Sequence, residues 1–130
     1  MRTEAVRVGV LTISDRAHTG AYQDASGPLI ERLISRVPGW AVDQMAVVPD
    51  EIDAIRQTLI RWADEDHLNL ILTTGGTGFA PRDVTPEATR AVIDREAPGL
   101  AEAMRASSCL LYTSDAADDL LCVDLGGRRI

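Results

Sequence analysis

A chain of 130 residues, 45% hydrophobic and 25% charged, has room for one compact domain with its own core and too little for two. The formal net charge of −7 and the absence of any lysine exclude a surface built to neutralise a nucleic-acid backbone, which draws on clustered Lys and Arg. No apolar run approaches the ~20 residues of a membrane-spanning helix, and Met1-Arg2-Thr3-Glu4 has no apolar stretch behind it as a secretory leader does, so a cytoplasmic location is expected.

Residues 6–13 are rich in β-branched side chains and end in the polar Ser14-Asp15-Arg16, as a buried parallel strand does on reaching a functional loop. A loop with Gly20 and Gly27 follows. Pro28 is then placed at a first helical position, with Leu29, Ile30, Leu33, Ile34 and Val37 at helical spacing up to Pro38-Gly39. Residues 41–48 read as a second strand of imperfect alternation, closed by Pro49-Asp50. Ile52, Ile55, Leu59, Trp62 and Ala63 recur at three- and four-residue steps and predict a second amphipathic helix. A third strand over 68–74 runs directly into Gly75-Gly76-Thr77-Gly78. Thr85 as N-cap with Pro86 at N1 starts a helix continued by Ala88, Ala91, Val92 and Arg95 up to Pro98-Gly99. A short helix over 100–107 comes last.

This alternation predicts an α/β fold, a three-layer α/β/α arrangement around a mostly parallel sheet with right-handed crossovers. In such folds ligands bind beyond the carboxyl ends of the strands. All three predicted strands end in loops rich in Gly, Asp, Ser and Thr, so the chemistry is expected on that one edge. An acidic chain still binds a small phosphorylated ligand when backbone N–H groups, a local Arg or a divalent cation carry the countercharge.

Glycines between a strand and a helix let N–H groups approach a phosphate without Cβ clashes. Alone, Gly75-Gly76-Thr77-Gly78 is equally a tight turn, and it matches neither the Walker pattern nor the dinucleotide fingerprint. Asp50 is either a functional carboxylate or a cap of the following helix, and Asp83 either that or a turn residue before Thr85. Arg82 suits a phosphate or is a solvated loop charge. Ser14 and Asp15 stand at the first strand end, while Arg16 could bridge to Asp24. His18 and His67 are isolated and lack the spacing of a metal cluster. Trp40 and Trp62 read as packing residues, and Asp64-Glu65-Asp66 as a solvated helix end.

The run Thr73-Thr74-Gly75-Gly76-Thr77-Gly78 with Arg82-Asp83-Val84-Thr85-Pro86 resembles the signature of the molybdopterin-binding MogA/MoaB family. Ile13-Ser14-Asp15-Arg16 with Gly20, Tyr22, Asp24, Gly27 and Pro28 resembles that family's first loop, and Val48-Pro49-Asp50-Glu51 its second. The three motifs lie in family order. The resemblance implies adenylyl transfer from ATP to molybdopterin, giving adenylated molybdopterin and pyrophosphate in molybdenum cofactor biosynthesis. It implies Asp50 and Asp83 as catalytic residues and as holders of Mg2+. It also implies Ser14, Asp15, Gly75, Gly76, Thr77, Gly78 and Arg82 as substrate contacts, a homotrimer, and hand-over to a molybdate-inserting enzyme. The alternative from another class is a non-catalytic molybdopterin-binding or scaffolding module.

Beyond Ser108 no periodicity persists. Residues 109–118 match the in-frame translation of a transposon-type sequencing adapter, and 122–130 the anchor that follows it. Residues 1–108 are therefore expected to be the N-terminal part of the domain, and 109–130, which hold both cysteines, to be non-native. The family normally continues past this point with a further strand, a Leu-Pro-Gly-x-Pro type loop and more helices. This chain is accordingly expected to be inactive by itself and to expose apolar surface.

Overall fold

A computed structural model describes residues 5–111. The elements run β1 (Val6–Ile13), α1 (Asp15–His18), α2 (Ser26–Ser35), β2 (Trp40–Val48), α3 (Ile52–Ile60), a π-helical turn (Arg61–Glu65), β3 (Leu70–Thr74), α4 (Thr85–Arg90) and α5 (Pro98–Leu111). The non-native reading of 109–130 lies outside the described residues from 112 onward, and 109–111 continue α5.

The strands form one parallel sheet in the order β2-β1-β3. Pairing is in register at the carboxyl ends: Ile13 lies beside Val48, and Thr12 beside Thr74. The residues just past the three strands therefore emerge side by side.

Alternation along β1 divides the core into two layers. Val8 and Val10 pack with Ile34 of α2, joined by Ile30, Val42, Leu70 and Leu72. Leu11 and Ile13 pack with Ile55 and Leu59 of α3, Trp62 and Ala88. Gly9 belongs to the second side, where a Cβ would come within 2.6 Å of the Trp62 ring. A glycine in the central strand at this point leaves the indole room to approach the backbone closely.

The imperfect alternation of the second strand has a structural cause. Val8 pairs with Val42 but Gly9 with Gln44, so Asp43 is an inserted bulge residue. An odd insertion exchanges the two faces of a strand. Val42 accordingly packs on the α2 side, and Ala46 and Val48 on the α3 side, although all three have even numbers.

Several helix expectations are corrected. α2 begins at Ser26, so Pro28 is its third residue. Asp24 satisfies the freed N–H of Gly27 at 3.2 Å, which moves the start upstream of the proline. Only Ile30 and Ile34 of the predicted stripe face the sheet, whereas Leu29, Leu33 and Val37 are exposed. The helix from Thr85 stops at Arg90 rather than reaching Arg95. The last helix is longer than 100–107, spanning Pro98–Leu111. The single turn of α1 carried no periodicity to read. Asp66 is not merely solvated, since it accepts from Gln44 Nε2 at 2.7 Å.

Among the described residues β3 is an edge strand. A groove of about 550 Å³ runs along it, lined by Leu59, Ile60, Leu70, Leu72, Val92 and Met104 among others, and the Thr73 hydroxyl is buried there without a partner. An apolar groove beside an open strand edge is adhesive surface. The folded chain is expected to enhance the fluorescence of an anilinonaphthalene dye below its melting transition, and charge at Leu72 (Leu72→Glu) to reduce that signal. Fluorescence at the buffer level until unfolding would show the groove to be covered.

Candidate active site

The three carboxyl strand ends converge on one constellation. Immediately past β1, Ser14 caps α1, its Oγ accepting from the Ala17 N–H at 3.2 Å. Asp15 and Asp50 then exchange bonds: the Asp15 N–H donates to Asp50 Oδ2 and the Asp50 N–H to Asp15 Oδ1, each at 2.9 Å. This follows from register, because each lies two residues past the paired Ile13 and Val48. Asp50 is thus no cap of α3, whose N-cap Glu51 makes no side-chain bond either.

Arg82 reaches the same point from the far side of the glycine turn. Its Nε and Nη2 donate to Asp15 Oδ2 and Oδ1 at 2.9 and 2.8 Å, a bidentate pair. That fork, followed by the Asp50 N–H, holds the Asp15 carboxyl below the usual carboxylate range, and the Asp15 bond raises Arg82. A carboxyl depressed in the folded state contributes stability above its unfolded pKa and loses it as pH falls through the folded value. The small stability advantage of the parent over Asp15→Asn should therefore be fully present at neutral pH and begin to shrink as pH falls below about 4. Melting temperatures of both proteins between pH 7 and 3 check this, and a gap that widened with acid would contradict it.

The glycine turn is built by contacts that leave no room for side chains. Gly75 has φ 94°, and a Cβ there would collide with the Ile13 carbonyl oxygen. Gly76 has φ 66°, and a Cβ on it would meet Thr85 Oγ1 and lie 3.0 Å from Asp50 Oδ1. Asp83 stands over Gly78, 2.9 Å from where a Cβ would be, and accepts from the Ala80 N–H at 3.0 Å. Both carboxylates singled out in the sequence therefore flank one turn. Asp50 Oδ1 is buried without a hydrogen-bond partner, an arrangement that calls for a donor or a cation. Asp83 also performs the turn role that the sequence left open.

Thr85 is not an N-cap. It is wholly buried, occupies the first position of α4 behind Val84, and its hydroxyl donates to the Gly75 carbonyl at 2.9 Å while its N–H donates to the Gly76 carbonyl at 3.1 Å. It ties the helix to the turn. Thr77 is half-buried in the turn. Arg16 does not bridge to Asp24 but lies over the Tyr22 ring at 5.5 Å. Asp24 instead accepts from Thr12 Oγ1 at 2.8 Å and from Ser26 Oγ at 3.3 Å, and Ser26 in turn receives the Thr74 hydroxyl at 3.2 Å. His18 and His67 are exposed, and His18, in the helical turn that Asp15 opens, adds a small further lowering of the Asp15 carboxyl. Trp62 is in the core and Trp40 is half-buried against it.

Two features escaped the sequence reading. Ser26 links the start of α2 to the end of β3, and its signal was the Asp24-to-Gly27 spacing of a helix start. Phe79 is 87% exposed directly after the glycines, where an aromatic flanked by Gly78 and Ala80 has no core to enter.

Comparison with known proteins identifies the family. Residues 9–113 match the family described as "Probable molybdopterin binding domain". The chain is 50% identical over 99 residues to the molybdenum cofactor synthesis protein cinnamon of Drosophila melanogaster, covering 75% of this chain and 16% of that protein. It is 48% identical over 101 residues to the molybdopterin adenylyltransferase of Escherichia coli, covering 77% of this chain and 52% of the relative. The chain thus spans about half the length of that bacterial relative. The crystal structure of the molybdopterin biosynthesis enzyme MoaB from Thermus thermophilus superposes with a TM-score of 0.74 at 50% identity, covering 78% of this chain and 63% of that one. With a family match over most of its length and the strand-end constellation in place, the chain belongs to the molybdopterin-binding domain family.

Proposed function

We propose that this edge is the phosphate-handling part of a site that transfers an adenylyl group from ATP to molybdopterin, in molybdenum cofactor biosynthesis. The observation that carries the reading is that Asp50 and Asp83 flank Gly76 and Gly78 of a single turn. In the reaction a terminal phosphate oxygen of molybdopterin attacks the α-phosphorus of ATP, and the bond to the β-phosphate breaks to release pyrophosphate. A phosphate monoester is largely ionised at neutral pH, so the site needs no base to create the nucleophile. It needs alignment and relief of negative charge.

The chain's own residues answer that need. In the turn Gly75-Gly76-Thr77-Gly78 the three glycines offer N–H groups with no Cβ in the way, Ser14 and Asp15 form the β1 side, and Arg82 brings a cation. The partnerless Asp50 Oδ1, with Asp83 on the same turn, suits Mg2+. When bound there the ion would neutralise charge on the phosphate oxygens. ATP, Mg2+, a homotrimer, hand-over to a molybdate-inserting enzyme and a cytoplasmic location belong to the same proposal.

Because the chain spans about half of the bacterial relative, residues 1–108 alone are proposed to bind without turnover. The test is a chimera in which they replace the matching stretch of the Escherichia coli adenylyltransferase. Pyrophosphate release on mixing it with molybdopterin, ATP and Mg2+ supports the reading. Molybdopterin binding without release favours a non-catalytic binding or scaffolding module, a second reading suggested by the match to only 16% of the long fly protein.

A further inference from the structure

We propose that Asp15 is a positioning residue for Arg82: it clamps one edge of the guanidinium so that the remaining edge faces a phosphate group at the Gly75–Gly78 turn. The inference rests on the phosphate-site reading above and goes beyond it, because it removes Asp15 from the ligand's own contacts.

A guanidinium carries five N–H donors in one plane, arranged so that two edges can each grip a pair of oxygens. Asp15 occupies the Nε/Nη2 edge. Nη1 makes no hydrogen bond among the described residues, so Nη1 and the second Nη2 proton form a vacant fork whose geometry suits a phosphate. Asp15 has little left to offer a ligand. Its Oδ1 takes both Arg82 Nη2 and the Asp50 N–H, its Oδ2 takes Arg82 Nε, and its negative charge repels an anion.

The clamp is itself anchored. The reciprocal backbone bonds with Asp50 fix Asp15 to the paired ends of β1 and β2, whereas Arg82 lies in an exposed loop and is itself exposed. An exposed ion pair contributes little to stability. Its value here is orientation, since a long side chain ordered before binding need not lose that freedom when the ligand arrives.

Inorganic pyrophosphate titrated calorimetrically into the full 130-residue chain is the probe. Asp15→Asn keeps an acceptor for the Asp50 N–H and loses the anionic two-oxygen clamp, so binding should weaken about threefold to tenfold, while the melting temperature at neutral pH falls only by the small amount an exposed ion pair contributes. Arg82→Lys should match it, an ammonium having no second edge. Arg82→Gln should weaken binding at least as much, and adding Asp15→Asn to it should cause no further loss. Unchanged or tighter binding in Asp15→Asn, an equal further loss in the Arg82→Gln background, or no binding by the parent chain overturns the positioning role. Pyrophosphate release by the chimera is scored separately, so adenylyl transfer can stand when this role falls.

Discussion

Asp50→Asn and Asp83→Asn should each lower adenylyl transfer by the chimera roughly 10²–10³-fold, the loss typical of removing one group that stabilises transition-state charge, with little change in melting temperature. The structure explains why the fold should tolerate both. Asp50 Oδ2 accepts the Asp15 N–H, and Asp83 Oδ2 accepts the Ala80 N–H, and an Asn side-chain oxygen can accept either bond. What disappears is the negative charge beside Gly76 and Gly78. If the two carboxylates serve one bound cation, the double variant should be little worse than the poorer single one. Parent-rate pyrophosphate release in both single variants would reduce these residues to their structural bonds.

The second large effect is on stability and lies at Gly75. Ala there has to adopt a left-handed backbone, at about 1–2 kcal/mol, and push its Cβ against the Ile13 carbonyl oxygen, where overpacking adds about 1–3 kcal/mol. Gly75→Ala is therefore expected to lose about 3 kcal/mol, lowering the melting midpoint roughly 10 °C. Gly39 supplies the control, because it has φ 82° with nothing within 4 Å of its would-be Cβ. Gly39→Ala should lose only the left-handed cost of about 1–2 kcal/mol. Urea unfolding of the two variants beside the parent measures the difference. Equal losses would mean that the contact with β1 does not constrain the turn.

Both results depend on the same feature, the closeness of the glycine turn to the other two strand ends. Gly75 rests on Ile13, and Gly76 lies under Asp50 and Thr85. Loosening the turn should therefore weaken phosphate binding as well as the fold, whereas the two Asn variants should separate binding charge from stability.

The sequence alone determined the elements whose signal is local. β1 was legible as a β-branched run ending in Ser14-Asp15, and the start of α3 as apolar residues at three- and four-residue steps. Gly75 and Gly76 were legible because positive φ and close backbone approach exclude other residues. The order of strands and helices was enough to put Asp50 and Asp83 on one edge. Tertiary structure decided what depends on partners far along the chain. The bulge at Asp43 exists to satisfy two core layers at once and appeared in the sequence only as faulty alternation. Thr85 has the sequence signature of a cap, but burial against Gly75 claims its hydroxyl. The start of α2 was set by Asp24, not by the fixed φ of Pro28. The Asp15–Arg82 pair joins residues 67 apart, and the Asp15–Asp50 exchange joins residues 35 apart. No local propensity encodes either pairing, since both arise only when parallel register brings the strand ends together.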